Sequence, residues 1–213
     1  RPTAIQAQAG QLKEWGLKAG WKRLGQGAYG TVYRIGNNLA VKTMSLVDSK
    51  GRVVRDKKLN DFRNEIDVLR LISSDCKEYL LCFRGVYYDG ATTLYIATEL
   101  LDEYELLEDL IDHKYKSDKT PRFQLDDKST YEFAARVSVN LLRGLDHLHR
   151  LNVVNLDIKP GNIFVHPQTG QIKIIDMGFA CISLFCQHSR PLGTPDFIAP
   201  ELYFRYSFAR TVL

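Results

Sequence analysis

Between Trp21 and Val47, apolar and β-branched residues come in short runs split by one turn signal, Gly36-Asn37-Asn38. This pattern predicts three antiparallel strands, near residues 21–26, 30–35 and 38–46. The period then changes. In LNDFRNEIDVLRLI, residues 59–72, Phe62, Ile66, Leu69 and either Leu71 or Ile72 recur at helical spacing. LLCFRGVYYDG and TTLYIATELL read as a hairpin turning at Asp89-Gly90. After about residue 102 the character becomes helical. The longest periodic segment, 129–150, sets Phe133, Val137, Leu141, Leu145 and Leu148 on one face and opens on a Ser129-x-x-Glu132 capping box. Short strands follow at 162–165 and 171–175, joined through Pro167-Gln168-Thr169-Gly170. Residues 1–20, with Leu12, Trp15 and Leu17, read as a short leading helix that Gly10, Gly16 and Gly20 weaken. The expected architecture is α+β. An N-terminal extension (1–20) precedes a sheet-rich first lobe with one helix (21–101), and a mainly helical second lobe (102–213) follows a junction near 99–104.

Composition narrows the class only modestly. The 213 residues are 45% hydrophobic and 25% charged, which suits an ordinary globular chain able to bury a core. The net charge of +4 comes without the basic stripe of a nucleic-acid binder, so no nucleic-acid partner is expected. KGRVVRDKK, residues 50–58, reads as a solvated loop. Cys76, Cys82, Cys181 and Cys186 fit neither a metal spacing nor a dense disulfide framework, so reduced thiols in an intracellular, cytoplasmic setting are expected. No apolar run approaches a membrane span, and no membrane partner is evident. The chain opens on Arg1-Pro2 rather than methionine, and its natural N-terminus, with any targeting segment, is expected to lie before it. Oligomeric state is not legible from the sequence.

The glycines carry the first chemistry. Gly25-Gln-Gly27-Ala-Tyr-Gly30 has G-x-G-x-x-G spacing, a weak signal alone. A dinucleotide-binding turn opens a helix inside a parallel βαβ unit, whereas here the strand Thr31–Ile35 and a hairpin follow. A glycine-rich lid, its backbone free to approach phosphate oxygens, fits that context. Lys42, on the return strand in Ala40-Val41-Lys42, is within reach of phosphates held beneath the lid. Such a lysine needs an anionic partner, and Glu65 in the middle of the next helix is the natural one.

The second chemistry lies in VVNLDIKPGNIFV, residues 153–165, where Asp157 and Asn162 stand five apart with Lys159 and Pro160 between them. That pattern points to phosphoryl transfer. Asn155 and Leu156 occupy the places where it usually carries a histidine and an arginine.

GQGAYGTV, AVK, a helix glutamate, LDIKPGN, DMG and GTPDFIAPE follow one another in an order and spacing that resemble the eukaryotic-type protein kinases of the serine/threonine type, over residues 21 to about 205. The resemblance implies a two-lobed fold and an ATP- and Mg²⁺-dependent transferase acting on a protein substrate. It places Gly25, Gly27 and Gly30 over the ATP phosphates and Lys42, paired with Glu65, on the α- and β-phosphates. Asp157 takes or orients the substrate hydroxyl's proton, Lys159 steadies the transferring phosphoryl group, and Asn162 and Asp176 hold Mg²⁺. Thr194 partners Asp157 and Lys159. For the base, it implies Thr98 as gatekeeper, hinge contacts at Glu99 and Leu101, and apolar walls from Leu24, Val32, Ala40 and Phe164.

Departures from the family pattern also matter. Leu156 replaces an arginine that binds a phosphorylated activation segment, which argues against control of that kind through Ser183, Ser189 or Thr194. Asn155 can still donate a hydrogen bond in place of the histidine, and Met177 can keep the packing of the usual phenylalanine. Phe197 stands where tyrosine is common. The chain stops soon after APE, so an incomplete second lobe, and hence a fragment, is expected. Two alternatives follow from these departures and from the loop spacing. One is a pseudokinase acting as a nucleotide-binding scaffold, and the other is a small-molecule kinase, against which GTPDFIAPE argues. Acidic residues from Asp102 to Asp109 read as a solvated face rather than a site for basic substrates.

Overall fold

A computed structural model describes residues 21–27, 30–48, 50–53, 55–76, 78–89, 92–116, 128–182 and 193–202. The leading helix expected before residue 21, and Ser183 and Ser189, lie outside the described residues. The chain divides into two compact units. One takes the residues up to Asp75 together with Leu81–Asp102, and the other takes Cys76–Leu80 and everything from Glu103 onward.

The first unit is built on a five-stranded antiparallel sheet: β1 (Lys22–Gly27), β2 (Gly30–Ile35), β3 (Leu39–Ser45), β4 (Phe83–Tyr88) and β5 (Thr93–Glu99), in the order β1-β2-β3-β5-β4. Short loops join the sequential strands β1, β2 and β3, and side chains alternate between the two faces. Cα register aligns Val32, Lys42 and Ile96 across β2, β3 and β5, and aligns Ala40 with Thr98. Those residues share one face. The opposite face carries Ile35, Val41, Tyr95 and Ala97, all buried, with Trp21 and Tyr87 packed against them. Trp21 stacks its ring 5.5 Å from Tyr33 and 6.1 Å, edge-on, from Tyr95. A bulge between Arg23 and Gly25 takes Leu24 out of register and leaves it 48% exposed.

Helix α1 (Arg55–Ile72) buries Ile66, Val68, Leu69 and Ile72, while Leu71 is exposed. It starts four residues before the periodic stretch, so the second half of the basic segment 50–58 is helix, not loop. An opening turn needs no apolar residue to satisfy the helical period, and the pattern of apolar positions could not locate it.

The second unit holds α2 (Leu107–Lys116) and α3 (Lys128–Arg150) with short strands β6 (Glu105–Leu106), β7 (Val153–Asn155), β8 (Ile163–Val165), β9 (Ile172–Ile174) and β10 (Ala180–Ile182). β6, β8 and β9 form one sheet, and β7 pairs antiparallel with β10. β8 and β9 match the strands expected at 162–165 and 171–175, which a turn signal joins, whereas β6, β7 and β10, equally short, were not read from the sequence. Helix α3 begins at Lys128, which places Ser129 inside its first turn rather than at its cap. Phe133, Val137, Gly144 and Leu148 are its buried residues. A methyl group at Gly144 would lie 3.1 Å from Tyr79 and 3.3 Å from Ile174, so the small residue lets β9 come close. Beyond Arg150 the backbone turns left-handed at Asn152 (φ 56°), a conformation asparagine tolerates better than most residues, and the helix stops.

Cys76, Cys82 and Cys181 are all disulfide-bonded, which corrects the expectation of reduced thiols. Disulfides depend on the separation of Cα atoms in the fold and not on sequence spacing, so the spacing of the cysteines was no guide. The reading of a reducing compartment loses that support. Among the described residues, no helix is long and apolar enough to cross a membrane.

Candidate active site

In the first unit, β1 and β2 run through Gly25, Gly27 and Gly30, with Gly27 paired to Gly30 across the hairpin. Two of these glycines answer to different constraints. A Cβ on Gly30 would fall 1.8 Å from the carbonyl oxygen of Thr43, so packing against β3 demands glycine there. At Gly25 a Cβ would meet nothing within 4 Å. Among the described residues, no neighbour excludes a side chain from that position.

Lys42 lies on the same sheet face as Val32, Ala40 and Thr98. Its Nζ donates to Glu65 Oε1 at 3.0 Å, and the Glu65 side chain is only 9% exposed. A buried carboxylate of this kind is tolerable because the ammonium beside it offsets the loss of solvation. Glu99, at the end of β5, is tied to Cys82 twice: its backbone N–H donates to the Cys82 carbonyl, and its Oε1 accepts the Cys82 N–H, each at 2.9 Å. Leu100 N–H donates to the Asn38 carbonyl at 3.1 Å, and Leu101 follows half-buried.

In the second unit, Asp157 follows β7 and is buried, at 4% exposure. Its carboxylate is nearly saturated. Thr194 gives its N–H (2.8 Å) and its hydroxyl (2.7 Å) to Oδ1. Oδ2 receives Asn162 Nδ2 at 2.9 Å and faces Lys159 Nζ at 3.0 Å. Lys159 Nζ also donates to the Thr194 hydroxyl oxygen at 2.7 Å, closing a ring of Asp157, Lys159 and Thr194. Burial alone would raise the Asp157 pKa, but the hydrogen bonds from Thr194 and Lys159, the Lys159 charge and the bond from Asn162 outweigh it. The group is held below the ordinary carboxylate value and stays an anion at neutral pH.

Asn162 sits in a tight turn, Pro160–Asn162, and its Nδ2 also donates to the Asp157 carbonyl at 2.9 Å. With its nitrogen committed, its carbonyl oxygen is the end that carries ligand chemistry. Asp176 accepts the Gly178 N–H on Oδ1 at 2.8 Å. One amide oxygen and one carboxylate form a hard-oxygen donor set, and Mg²⁺ characteristically takes few protein ligands beside waters and phosphate. These two residues fit such an ion. Among the described residues no cluster of three or more His, Cys, Asp or Glu could hold a metal by itself. Phe164, on β8, belongs to this unit, whereas Leu24, Val32 and Ala40 belong to the first.

Three features of the site were not anticipated. Asn155 Nδ2 donates to the Asp176 carbonyl at 2.9 Å, but its Oδ1 also accepts the Asp157 N–H at 2.9 Å. Gly193, at φ 110°, approaches so closely that a Cβ would lie 2.4 Å from the Leu156 carbonyl oxygen. Lys173 is buried at 4% exposure, with Nζ 3.4 Å from the Cys76 carbonyl and 3.2 Å from that of Leu80. The glycine before Thr194 was a possible signal for the second. Nothing in the sequence marked the third. Met177 is fully buried, and Phe197 is half exposed.

Sheet, helix and saturated aspartate together define a protein kinase domain. The model of that family matches residues 20–210, and the chain belongs to the eukaryotic-type protein kinases, with serine/threonine kinases as its relatives. It is 31% identical over 183 residues to the mitogen-activated protein kinase kinase kinase 1 of Arabidopsis thaliana, an alignment covering 84% of this chain and 27% of that protein. It is 29% identical over 187 residues to the probable serine/threonine-protein kinase WNK10 of the same plant, covering 84% and 32%. A shorter match, 47% over 64 residues, joins it to the probable serine/threonine-protein kinase WNK8 of Oryza sativa subsp. japonica, covering 30% and 10%. The chain thus spans about a third or less of the length of these relatives.

Proposed function

We propose that the chain catalyses transfer of the γ-phosphate of ATP to serine and threonine hydroxyls of a protein substrate. The observation that carries this reading is the Asp157 carboxylate, ionised, buried and fixed by Thr194, Lys159 and Asn162. Phosphoryl transfer asks for positioning and charge neutralisation more than for covalent chemistry, and this chain supplies groups for both.

In this reading Asp157 accepts the proton of the substrate hydroxyl as its oxygen bonds the γ-phosphorus and the bond to the ADP oxygen breaks. Lys159 holds positive charge beside that carboxylate and balances the phosphoryl oxygens. Lys42, oriented by Glu65, neutralises the α- and β-phosphates. Gly25, at which no atom of the described residues excludes a side chain, leaves its backbone open to the phosphates. Thr98, Glu99 and Leu101 take the base, with Leu24, Val32 and Ala40 as its apolar surroundings. Asn162 and Asp176 would hold Mg²⁺, which when bound shields the phosphate charges.

The assignment to hydroxyl class rests on Lys159 and on its bond to Thr194. Offering the chain labelled ATP and peptides that differ only in a serine, threonine or tyrosine acceptor tests it. Phosphoserine and phosphothreonine are expected, and phosphotyrosine alone would overturn the assignment.

A further inference from the structure

Cys82 immediately precedes β4, the outermost strand of the five-stranded sheet, and it holds Glu99 by two bonds. The Glu99 N–H donates to its carbonyl, and its own N–H donates to Glu99 Oε1, each at 2.9 Å. From the other side Glu99 lies in register with Leu39 of β3, and the Leu100 N–H donates to the Asn38 carbonyl at 3.1 Å. The two sides are not equally secure. β3 is an inner strand, in unbroken register with β5 from Leu39 to Ser45. β4 is an edge, and its register with β5 shifts between Phe83 and Gly85, just beyond Cys82. The end of an edge strand beside a broken ladder opens readily. A covalent cross-link sits at that weak point: Cys82 is buried and disulfide-bonded.

We infer that Cys82 is a positioning residue for the nucleotide base, and that its disulfide makes nucleotide affinity depend on the oxidation state of the chain. The inference rests on the phosphotransferase reading, in which Glu99 and Leu101 take the base. A disulfide keeps the Cys82 Cα within about 4.4–6.8 Å of its partner's, and so restrains the end of β4 from leaving Glu99. Reduction breaks the S–S bond and leaves one thiol on Cys82 and one on its partner cysteine. The two electrons and two protons come from a dithiol, which becomes a cyclic disulfide. The bonds to Glu99 are then exposed to opening of the strand end. Because Cys82 is buried, the attacking thiolate reaches it only during such opening, and the change is slow.

The test compares the wild-type chain, purified without reductant and after long incubation with dithiothreitol, with Cys82→Ser under both conditions. Thiols are counted in denaturant to establish each state. Two readouts are taken: hydrogen exchange at the Glu99 amide, and affinity for ATP with Mg²⁺ by calorimetry. Reduction of wild type is expected to speed the exchange and weaken ATP binding, each by about 3–30-fold, the effect of losing one or two net hydrogen bonds. Reoxidation should restore both. Cys82→Ser should match reduced wild type whether or not dithiothreitol is present. Should the serine chain fail to fold, Cys82→Ala is read by the same criteria.

Glu99 exchange or ATP affinity unchanged on full reduction overturns the inference. So does a free Cys82 thiol in the unreduced chain, or a Cys82→Ser variant that binds ATP as tightly as oxidised wild type. A wild type whose Glu99 exchange responds to reduction, yet which binds no ATP in either state, overturns the nucleotide reading and leaves the hold of Cys82 on Glu99 standing.

Discussion

Thr194 directs both its backbone N–H and its hydroxyl at a single oxygen, Oδ1 of Asp157, at 2.8 and 2.7 Å, across 37 residues of sequence. Lys159 meets the same hydroxyl oxygen at 2.7 Å, so the threonine oxygen is donor to one group and acceptor from the other. Only a hydroxyl can do both from this position.

Replacing that hydroxyl separates its role from that of the backbone. Thr194→Ser keeps every bond, and its kcat is expected within about threefold of wild type, whereas Thr194→Ala should lose about 100-fold through a misplaced Asp157 and Lys159. Steady-state kinetics on one peptide decide it. Equal rates for the alanine and serine variants would contradict the account.

The glycines divide by cause. Gly30→Ala drives a methyl into the Thr43 carbonyl and should lower stability by about 2 kcal/mol or more, a melting-temperature loss of at least about 4 °C. Gly25→Ala meets no atom of the described residues. Its melting temperature should stay within about 1 °C of wild type, while nucleotide affinity falls. Calorimetry with and without ATP reads both, and a destabilised Gly25→Ala would show that the position is structural.

Lys42 and Glu65 form a pair in which the carboxylate is the more deeply buried member. Removing lysine alone therefore takes away the ammonium that offsets the burial of Glu65. Lys42→Met is expected to cost about 1–3 kcal/mol, less than a fully buried pair because a quarter of the lysine side chain is exposed. The double variant Lys42→Met/Glu65→Leu should recover most of that loss. A double-mutant cycle by urea unfolding gives the coupling, and strictly additive losses would refute it.

Acid should weaken the fold through Asp157. Its folded pKa lies below the ordinary 3.8, so the native state releases this proton more readily than the unfolded chain. The resulting stability is fully present above that ordinary value and is lost as pH falls through the folded pKa. The stability difference between wild type and Asp157→Asn should then be constant from about pH 7 to 5 and shrink towards pH 2. A difference that grows on acidification has the wrong sign for this site.

Much of this was legible in the sequence, and what was not has a physical reason. The strands flanking Gly36-Asn37-Asn38 and the turn at Asp89 were marked by alternation and by turn residues, both local properties. The order of short motifs drew attention to Asp157, Asn162 and Thr194 because phosphoryl transfer needs those residue types. The close approach of Gly193 to Leu156 and the second bond of Asn155 depend on how distant backbones meet. Neither is encoded in spacing. The disulfide bonding of Cys76, Cys82 and Cys181 is of the same kind. Helix α1 shows the remaining ambiguity: Leu71 and Ile72 were equivalent by period, and the fold buries Ile72 and leaves Leu71 exposed.

The most direct test of the account is phosphate transfer from Mg²⁺-ATP to a serine/threonine peptide by wild type and by Asp157→Asn. Asparagine keeps the shape of the carboxylate but cannot take a proton, so kcat is expected to fall by about 10²–10⁴ while ATP affinity changes little. A wild-type chain that binds Mg²⁺-ATP and transfers nothing, or an Asp157→Asn variant as fast as wild type, would contradict it.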